Sequence, residues 1–442
     1  MKHVVINTPI DYHIVQQKIT ESKLKSIGKA SIREVRTLIN NIEKVSGFQF
    51  IRMEMGVPGL PASKVGIEAE KVSLDTGIAS LYPSIEGIPE LKSEMSRFVK
   101  LFLDIKVPEH CIVPCTGSTS GSFISFLTAA RVNKTKEYTL FLDPGFPVHK
   151  QQLNVLGLKQ KSLDVYEYRG SALYDKLDSI LSEGNVSTLL YSNPNNPSWI
   201  CFTDLELSII AELCKKYDVI PIEDLAYFKM DFRREHNAPG EPPFQPTIAK
   251  FTDLYMILIS SSKIFSYAGQ RVGSIVISEK LFGADYPDLS RFYTSTNFGH
   301  ALIYGAAYAV SAGVTHSTQF ALAAMLKAVN DGKYDFIEEV KVYGKRAGLM
   351  KKMFTENGFN IVYDKDDGEP IADGFYFTVS YPAFSGEELI EEFLYYGISA
   401  ISLSNTGSTR KEGIRACVSL IADSQLPELE TRLKLFHENH KI

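Results

Sequence analysis

The segment SSSKIFSYAGQRVG (260–273) sets Lys263 directly behind Ser262 and places Arg271 eight residues further on. An amine at that position can form an imine with an aldehyde, and the planar fork of a guanidinium can grip a phosphate, with the hydroxyls of Ser260 and Ser262 as neutral donors. Upstream, VIPIEDLAYFKMDF (219–232) ends a strand-like run on Asp224, with Tyr227 three residues on. A strand-end aspartate can cap the element that follows it, so Asp224 alone decides nothing. PCTGSTSGSFISFLTAA (114–130) has a Gly/Ser/Thr-rich entry into a helix. The free N–H groups and positive dipole end of such an entry suit a phosphate. Imine chemistry and phosphate binding are therefore the two activities these residue types support.

The order Ser260, Ser262, Lys263, Arg271, Gly273 resembles the S-x-S-K-x(7)-R-x-G pattern of class I/II aminotransferases, aspartate-aminotransferase-like members of the fold-type-I pyridoxal-phosphate enzymes. The resemblance implies that Lys263 carries pyridoxal 5'-phosphate as a Schiff base, while Ser260, Arg271, Ser118 and Thr119 bind the cofactor phosphate. It assigns Asp224 to the ring nitrogen, where a carboxylate keeps the ring protonated and able to withdraw electrons from a substrate carbanion. Tyr227 then donates to the cofactor's phenolate oxygen. YSNPNNPSWI (191–200) is similar to the family's N-P-x-N-P-T-G loop, which gives Asn196 a contact to the same oxygen and makes Asn196–Pro197 a candidate cis peptide. Ser198 and Trp199 stand where Thr-Gly is usual. LDPGFPVH (142–149) resembles D-P-G-Y-P-x-Y, with Phe146 stacking on the ring and His149 replacing the second tyrosine.

Three further matches concern substrate and partner. EGIRACVSL (412–420) looks like the segment whose arginine, here Arg415, holds the substrate α-carboxylate through a bidentate pair. Gly56, in MEMGVPG, corresponds to the glycine beside the substrate. LYPSIEGIPELKSEM (81–95) is similar to Y-x-P-x-x-G-x-P-E-L and implies that Tyr82 reaches the cofactor phosphate of a neighbouring subunit, in a homodimer with shared active sites. The resemblance runs from about 53 to 420. It implies a transaminase that moves an amino group from an amino acid to a 2-oxo acid by a ping-pong mechanism. Another pyridoxal-phosphate enzyme of the same fold, such as a carbon–sulfur lyase, decarboxylase or synthase, needs the same cofactor residues. Arg415 favours an intact carboxylate and so disfavours decarboxylation. A cofactor-sensing DNA-binding regulator is the alternative from another class.

These residues must be positioned by a scaffold that the hydrophobic pattern outlines. Short apolar runs at 138–142, 187–191, 218–223, 255–260 and 273–278 alternate with helical stretches such as DLELSIIAELCKKY (204–217). That alternation predicts an α/β domain, a mostly parallel sheet covered by helices, with ligands beyond the carboxyl ends of its strands. We expect a large cofactor-binding domain over 75–325 and a smaller α+β domain over 326–442, joined by the N-terminal segment 1–74. Within that segment, Ile32, Val35, Leu38, Ile39 and Ile42 share helical spacing. The Pro-rich stretch 237–246 reads as a surface loop between core strands.

A chain of 442 residues suits two domains, and a net charge of −5 gives no basic field for nucleic acid. Five cysteines, without paired Cys/His spacing, predict neither disulfides nor a metal site. No apolar run approaches about 18 residues and no signal-peptide pattern opens the chain. A cytoplasmic protein without a membrane partner is the expectation.

Overall fold

The structure is a computed structural model that describes residues 7–234 and 238–441. The five apolar runs form the strands Tyr138–Asp143, Val186–Ser192, Ile220–Asp224, Met256–Ser260 and Gly273–Ile277. Ile112–Cys115 and Lys159–Asp164 complete a seven-stranded sheet. Its spatial order begins at Ile112–Cys115, continues through Gly273–Ile277, Met256–Ser260, Ile220–Asp224, Val186–Ser192 and Tyr138–Asp143, and ends at Lys159–Asp164. The last five are mutually parallel. Gly273–Ile277 is not, since it runs antiparallel to both of its neighbours. The chain between Ser260 and Gly273 holds only the short helix Ser261–Ile264 and the single turn Ala268–Gln270, too little for the crossover that a parallel pair needs.

Strands such as Val186–Ser192 and Met256–Ser260 are buried at every position, because helices cover both faces. Phe126 of the helix Ser118–Ala129 joins Ile222, Leu258 and Ile275 in one apolar core. The helix Asp204–Lys216 begins in a capping box in which Thr203 and Glu206 satisfy each other's backbone N–H groups.

The chain divides into two units: residues 60–195 with 201–340, and residues 1–59 with 196–200 and 341–442. The expected borders at 74 and 325 thus move to 59 and 340. The reason is local, since the helix Lys64–Asp75 packs on the helix His316–Asn330 within the larger unit. In the smaller unit, Tyr376–Ser380 lies between Ile414–Cys417 and Asn360–Ile361 in an antiparallel sheet of four strands that Ile401–Ser402 completes. Ile51–Arg52 pairs parallel with Ile398–Ser399, which ties the N-terminal segment into this unit. The helix Ile32–Ser46 buries Val35, Leu38, Ile39 and Ile42 as their spacing predicts, whereas Ile32, in its first turn, is only half-buried.

The Pro-rich loop departs from a simple surface loop. Residue 237 lies outside the described residues, and Gln245 and Thr247 are buried, with Thr247 donating to the buried Glu223 carboxylate at 2.5 Å. Among the described residues no helix is long and apolar enough to cross a membrane.

Candidate active site

Four strands of the larger unit end along one edge of the sheet, and each runs directly into residues singled out by the sequence. Tyr138–Asp143 leads to Phe146, Val186–Ser192 to the Asn193–Asn196 turn, Ile220–Asp224 to Tyr227, and Met256–Ser260 to Lys263. Parallel strands point their carboxyl ends the same way, so side chains distant in sequence arrive together.

The phosphate-type donors come from three neighbouring strands. Ser260 pairs with Gly273, and Gly273 with Cys115, so these three residues form one row across the sheet. The row opens onto Gly117 and the first turn of Ser118–Ala129, where Ser118 and Thr119 are half-buried. Ser260 caps the short helix that carries Lys263, its hydroxyl accepting from the Ser262 N–H at 3.2 Å. Two glycines leave the space that makes this row a cradle. Gly117 has a φ of +80°, and a Cβ there would stand 2.6 Å from Nη2 of Arg271. A Cβ on Gly273 would stand 2.6 Å from the Ile259 carbonyl oxygen and 3.5 Å from the Ser118 nitrogen. Backbone donors, a hydroxyl and a guanidinium thus converge where no side chain intrudes, a donor set suited to a phosphate dianion.

Asp224 is buried, and burial pushes its carboxyl up to about 7 against the opposing hydrogen bond from the Ala226 N–H. The capping role is therefore present, and it uses only one of the two carboxylate oxygens. His149 Nε2 is 3.6 Å from the other oxygen. Burial lowers the His149 imidazole to about 4, so near neutrality this contact is not a charged pair. A buried carboxylate without a cation is costly, and a protonated ring nitrogen would supply one. Phe146, at the entry to the helix Pro147–Leu156, meets His149 edge to face at 5.5 Å. Tyr227 is buried and Lys263 half-buried.

Other sequence-predicted residues belong to the smaller unit. Asn196–Pro197 is cis. The Asn196 Oδ1 accepts from Arg415 Nη1 at 3.2 Å, and the Glu54 carbonyl accepts from Nη2 at 2.7 Å. Arg415 is 1% exposed and its Nε is buried without a hydrogen-bond partner. Gly56 lies against Tyr376, whose hydroxyl a Cβ at that position would overlap.

Tyr82 is in neither cluster, being 93% exposed on the surface of the larger unit. Arg291 donates to the backbone carbonyls of Asp288 and Arg131 of its own chain. Sequence reasoning missed Tyr376, which lies under the Arg415 guanidinium. No local sequence pattern signalled it, since the contact depends on the pairing of Thr378 with Arg415 across two distant strands.

Comparison with known proteins concerns the chain as a whole. A family model described as aminotransferase class I and II matches residues 50–431. A probable aspartate aminotransferase of Methanocaldococcus jannaschii is 25% identical over 59% of this chain and 64% of its own length. The match thus spans slightly under two thirds of that relative. A putative aminotransferase of Bacillus subtilis is 24% identical over 93% of this chain and 97% of its own. Among solved structures, an aspartate aminotransferase of Thermotoga maritima superposes with a TM-score of 0.75 at 17% identity, covering 96% of this chain and 99% of that one. The low identity makes that likeness one of fold. The match of the family model over most of the sequence shows more: the chain belongs to the class I and II aminotransferases, a family of pyridoxal-phosphate enzymes.

Proposed function

We propose that the protein is a pyridoxal-phosphate-dependent transaminase that moves the amino group of an amino acid to a 2-oxo acid in two half-reactions. The observation that carries this reading is the edge of the sheet where the Gly117–Ser118 cradle, Asp224 and the Lys263 helix meet the ends of adjacent strands. The chemistry pyridoxal phosphate supplies when bound is an aldehyde that takes up the amino group and a ring that accepts electrons released at the substrate Cα. Ser118, Thr119, Ser260 and Arg271 would hold the phosphate, and Phe146 would cover the ring. Asp224 would keep the ring nitrogen protonated, with Tyr227 and Asn196 donating to the phenolate oxygen. Lys263 would hold the aldehyde at rest and then, displaced by the substrate amine, move the proton from Cα. Arg415 would bind the α-carboxylate, with Gly56 beside it.

A panel of amino donors against one 2-oxo acid tests the reading. At least one donor is expected to yield equal amounts of its own 2-oxo acid and the new amino acid. Carbon dioxide, ammonia or a thiol as product would assign the protein to a different reaction on the same cofactor.

We also read the working unit as a cytoplasmic homodimer with Tyr82 acting across the interface. The support is a set of exposed apolar side chains in the larger unit. Leu81, Tyr82, Tyr304 and Tyr308 are all exposed, and the Tyr304 hydroxyl meets Glu86, which follows Tyr82 in the same loop. Mixed dimers of a Tyr82→Phe chain and a Lys263→Ala chain separate the alternatives. Acting in trans, Tyr82 leaves one fully intact site per dimer, and the cofactor binds there with wild-type affinity. An affinity equal to that of the Tyr82→Phe homodimer, once that homodimer is shown to be weakened, would place Tyr82 in its own chain's site.

A further inference from the structure

Arg415 is held on three sides, and only two of them are hydrogen bonds. Of the five N–H donors of a guanidinium, one goes to Asn196 Oδ1 and one to the Glu54 carbonyl. Nε–H and one N–H on each terminal nitrogen remain for a ligand, and Nε is buried without a partner. The third side is the face of Tyr376, whose ring centroid lies 4.4 Å from Arg415 Cζ. The two residues meet because Thr378 pairs with Arg415 across the antiparallel strands, which sets Tyr376 diagonally adjacent on the same face of the sheet.

Tyr376 is itself backed by the substitution that sets this loop apart. Trp199, where glycine is usual, is fully buried and meets the Tyr376 ring edge to face at 6.0 Å and 68°. Its φ is +68°, a conformation that glycine adopts readily and a bulky side chain does not. The space for the indole comes from Gly374, two residues before the strand Tyr376–Ser380, where any Cβ would overlap the Trp199 ring. Gly374 thus provides the room that a side chain at 199 requires. The backbone of the loop keeps its glycine-like conformation while an aromatic edge is added behind Tyr376.

We propose that Tyr376 and Trp199 are positioning residues for the α-carboxylate: Tyr376 holds the Arg415 guanidinium in one plane, and Trp199 holds Tyr376. The inference rests on the reading of Arg415 as the carboxylate grip. A planar two-toothed pair is lost when the fork turns about its own axis, and a ring stacked on its face opposes that turn. The benefit appears in substrate binding, equally for the amino acid and the 2-oxo acid, because both present the same carboxylate.

The test uses the cofactor-loaded enzyme. Tyr376→Leu is expected to raise KM for donor and acceptor alike by about tenfold, the fold-change that a desolvated cation–π contact commands. The loss in kcat/KM should be carried by KM, and cofactor affinity should stay within about twofold of wild type. Tyr376→Phe keeps the ring and is expected to stay within about threefold on KM, and Trp199→Gly to raise KM by about fivefold. Trp199 is the single tryptophan of the chain, so its emission provides a readout that needs no disruptive variant. Adding a 2-oxo acid to the cofactor-loaded wild type, with no amine present, is expected to shift that emission saturably, and Arg415→Lys should abolish the shift at the same concentrations. A normal KM in a folded Tyr376→Leu overturns the proposal, as does emission unchanged at saturation. If Arg415→Lys itself leaves KM unchanged, the reading of Arg415 fails. If Arg415→Lys raises KM while Tyr376→Leu does not, only the positioning role fails.

Discussion

Lys263→Ala leaves a folded protein that retains no borohydride-fixable cofactor and has lost transamination by at least about four orders of magnitude, the scale on which general-base and covalent contributions combine. The size of the effect follows from where the lysine sits. Its helix is capped by Ser260, the last residue of a central strand, and the register fixes Ser260 opposite Gly273 and so beside the cradle at Gly117 and Ser118. A lysine elsewhere on the surface would have to bring its amine to the same point without that support, and effective concentration falls steeply with misplacement. Circular dichroism and the melting temperature of the cofactor-free variant establish folding. Mass spectrometry of the reduced, digested protein then locates any adduct. A fixed adduct on a different lysine, with activity retained, would remove Lys263 from the reaction.

Asp224→Asn separates two roles of one carboxylate in opposite directions. In the cofactor-loaded enzyme the amide cannot hold the ring nitrogen protonated, and single-turnover Cα deprotonation is expected to fall by about 10²–10⁴-fold, the usual scale for electrostatic stabilisation of developing charge. In the cofactor-free protein the same substitution should stabilise. The folded carboxyl sits at about 7 against an ordinary value of 3.8, so the folded state binds the proton more tightly than the unfolded one. The stability associated with that proton is fully present below about pH 4 and is lost as pH rises through 7, amounting to about 4 kcal/mol by pH 8 as an upper bound. Denaturant titrations of wild type and Asp224→Asn should therefore agree near pH 4, draw apart progressively between pH 4 and 7 and stay a constant distance apart above pH 7, with the variant more stable. Parallel curves across that range would show that the carboxylate finds a counter-charge without the cofactor. Near-normal single-turnover rates would refute its electronic role.

What could be read in the sequence divides along the range of the interactions. Lys263, Asp224, Asn196, Phe146 and Ser118 each lie where a strand gives way to a turn or helix, so a few adjacent residues carry both the structural signal and the chemical type. The strands themselves were legible from their apolar runs. Their direction was not for Gly273–Ile277, because a strand buried on both faces shows no alternation and parallel and antiparallel runs look alike. The contact between Tyr376 and Arg415 depends on the register of two strands far apart in the chain, and no local pattern encodes a register. Trp199 was visible as a departure from the family loop, yet its meaning required Gly374, a glycine with no turn of its own to explain it.

All five cysteines are buried and reduced, and burial pushes the thiols of Cys111 and Cys115 up to about 12. Near neutrality neither supplies a thiolate, so electrophiles and oxidants that attack exposed sulfur find no ready target while the cores stay closed. The thiols are spread through the chain, in the sheet of the larger unit at Cys115, in the helix over that sheet at Cys214, and in the smaller unit's sheet at Cys417. Labelling at each therefore dates the local opening of its own surroundings, which gives the molecule an internal record of which part loosens first.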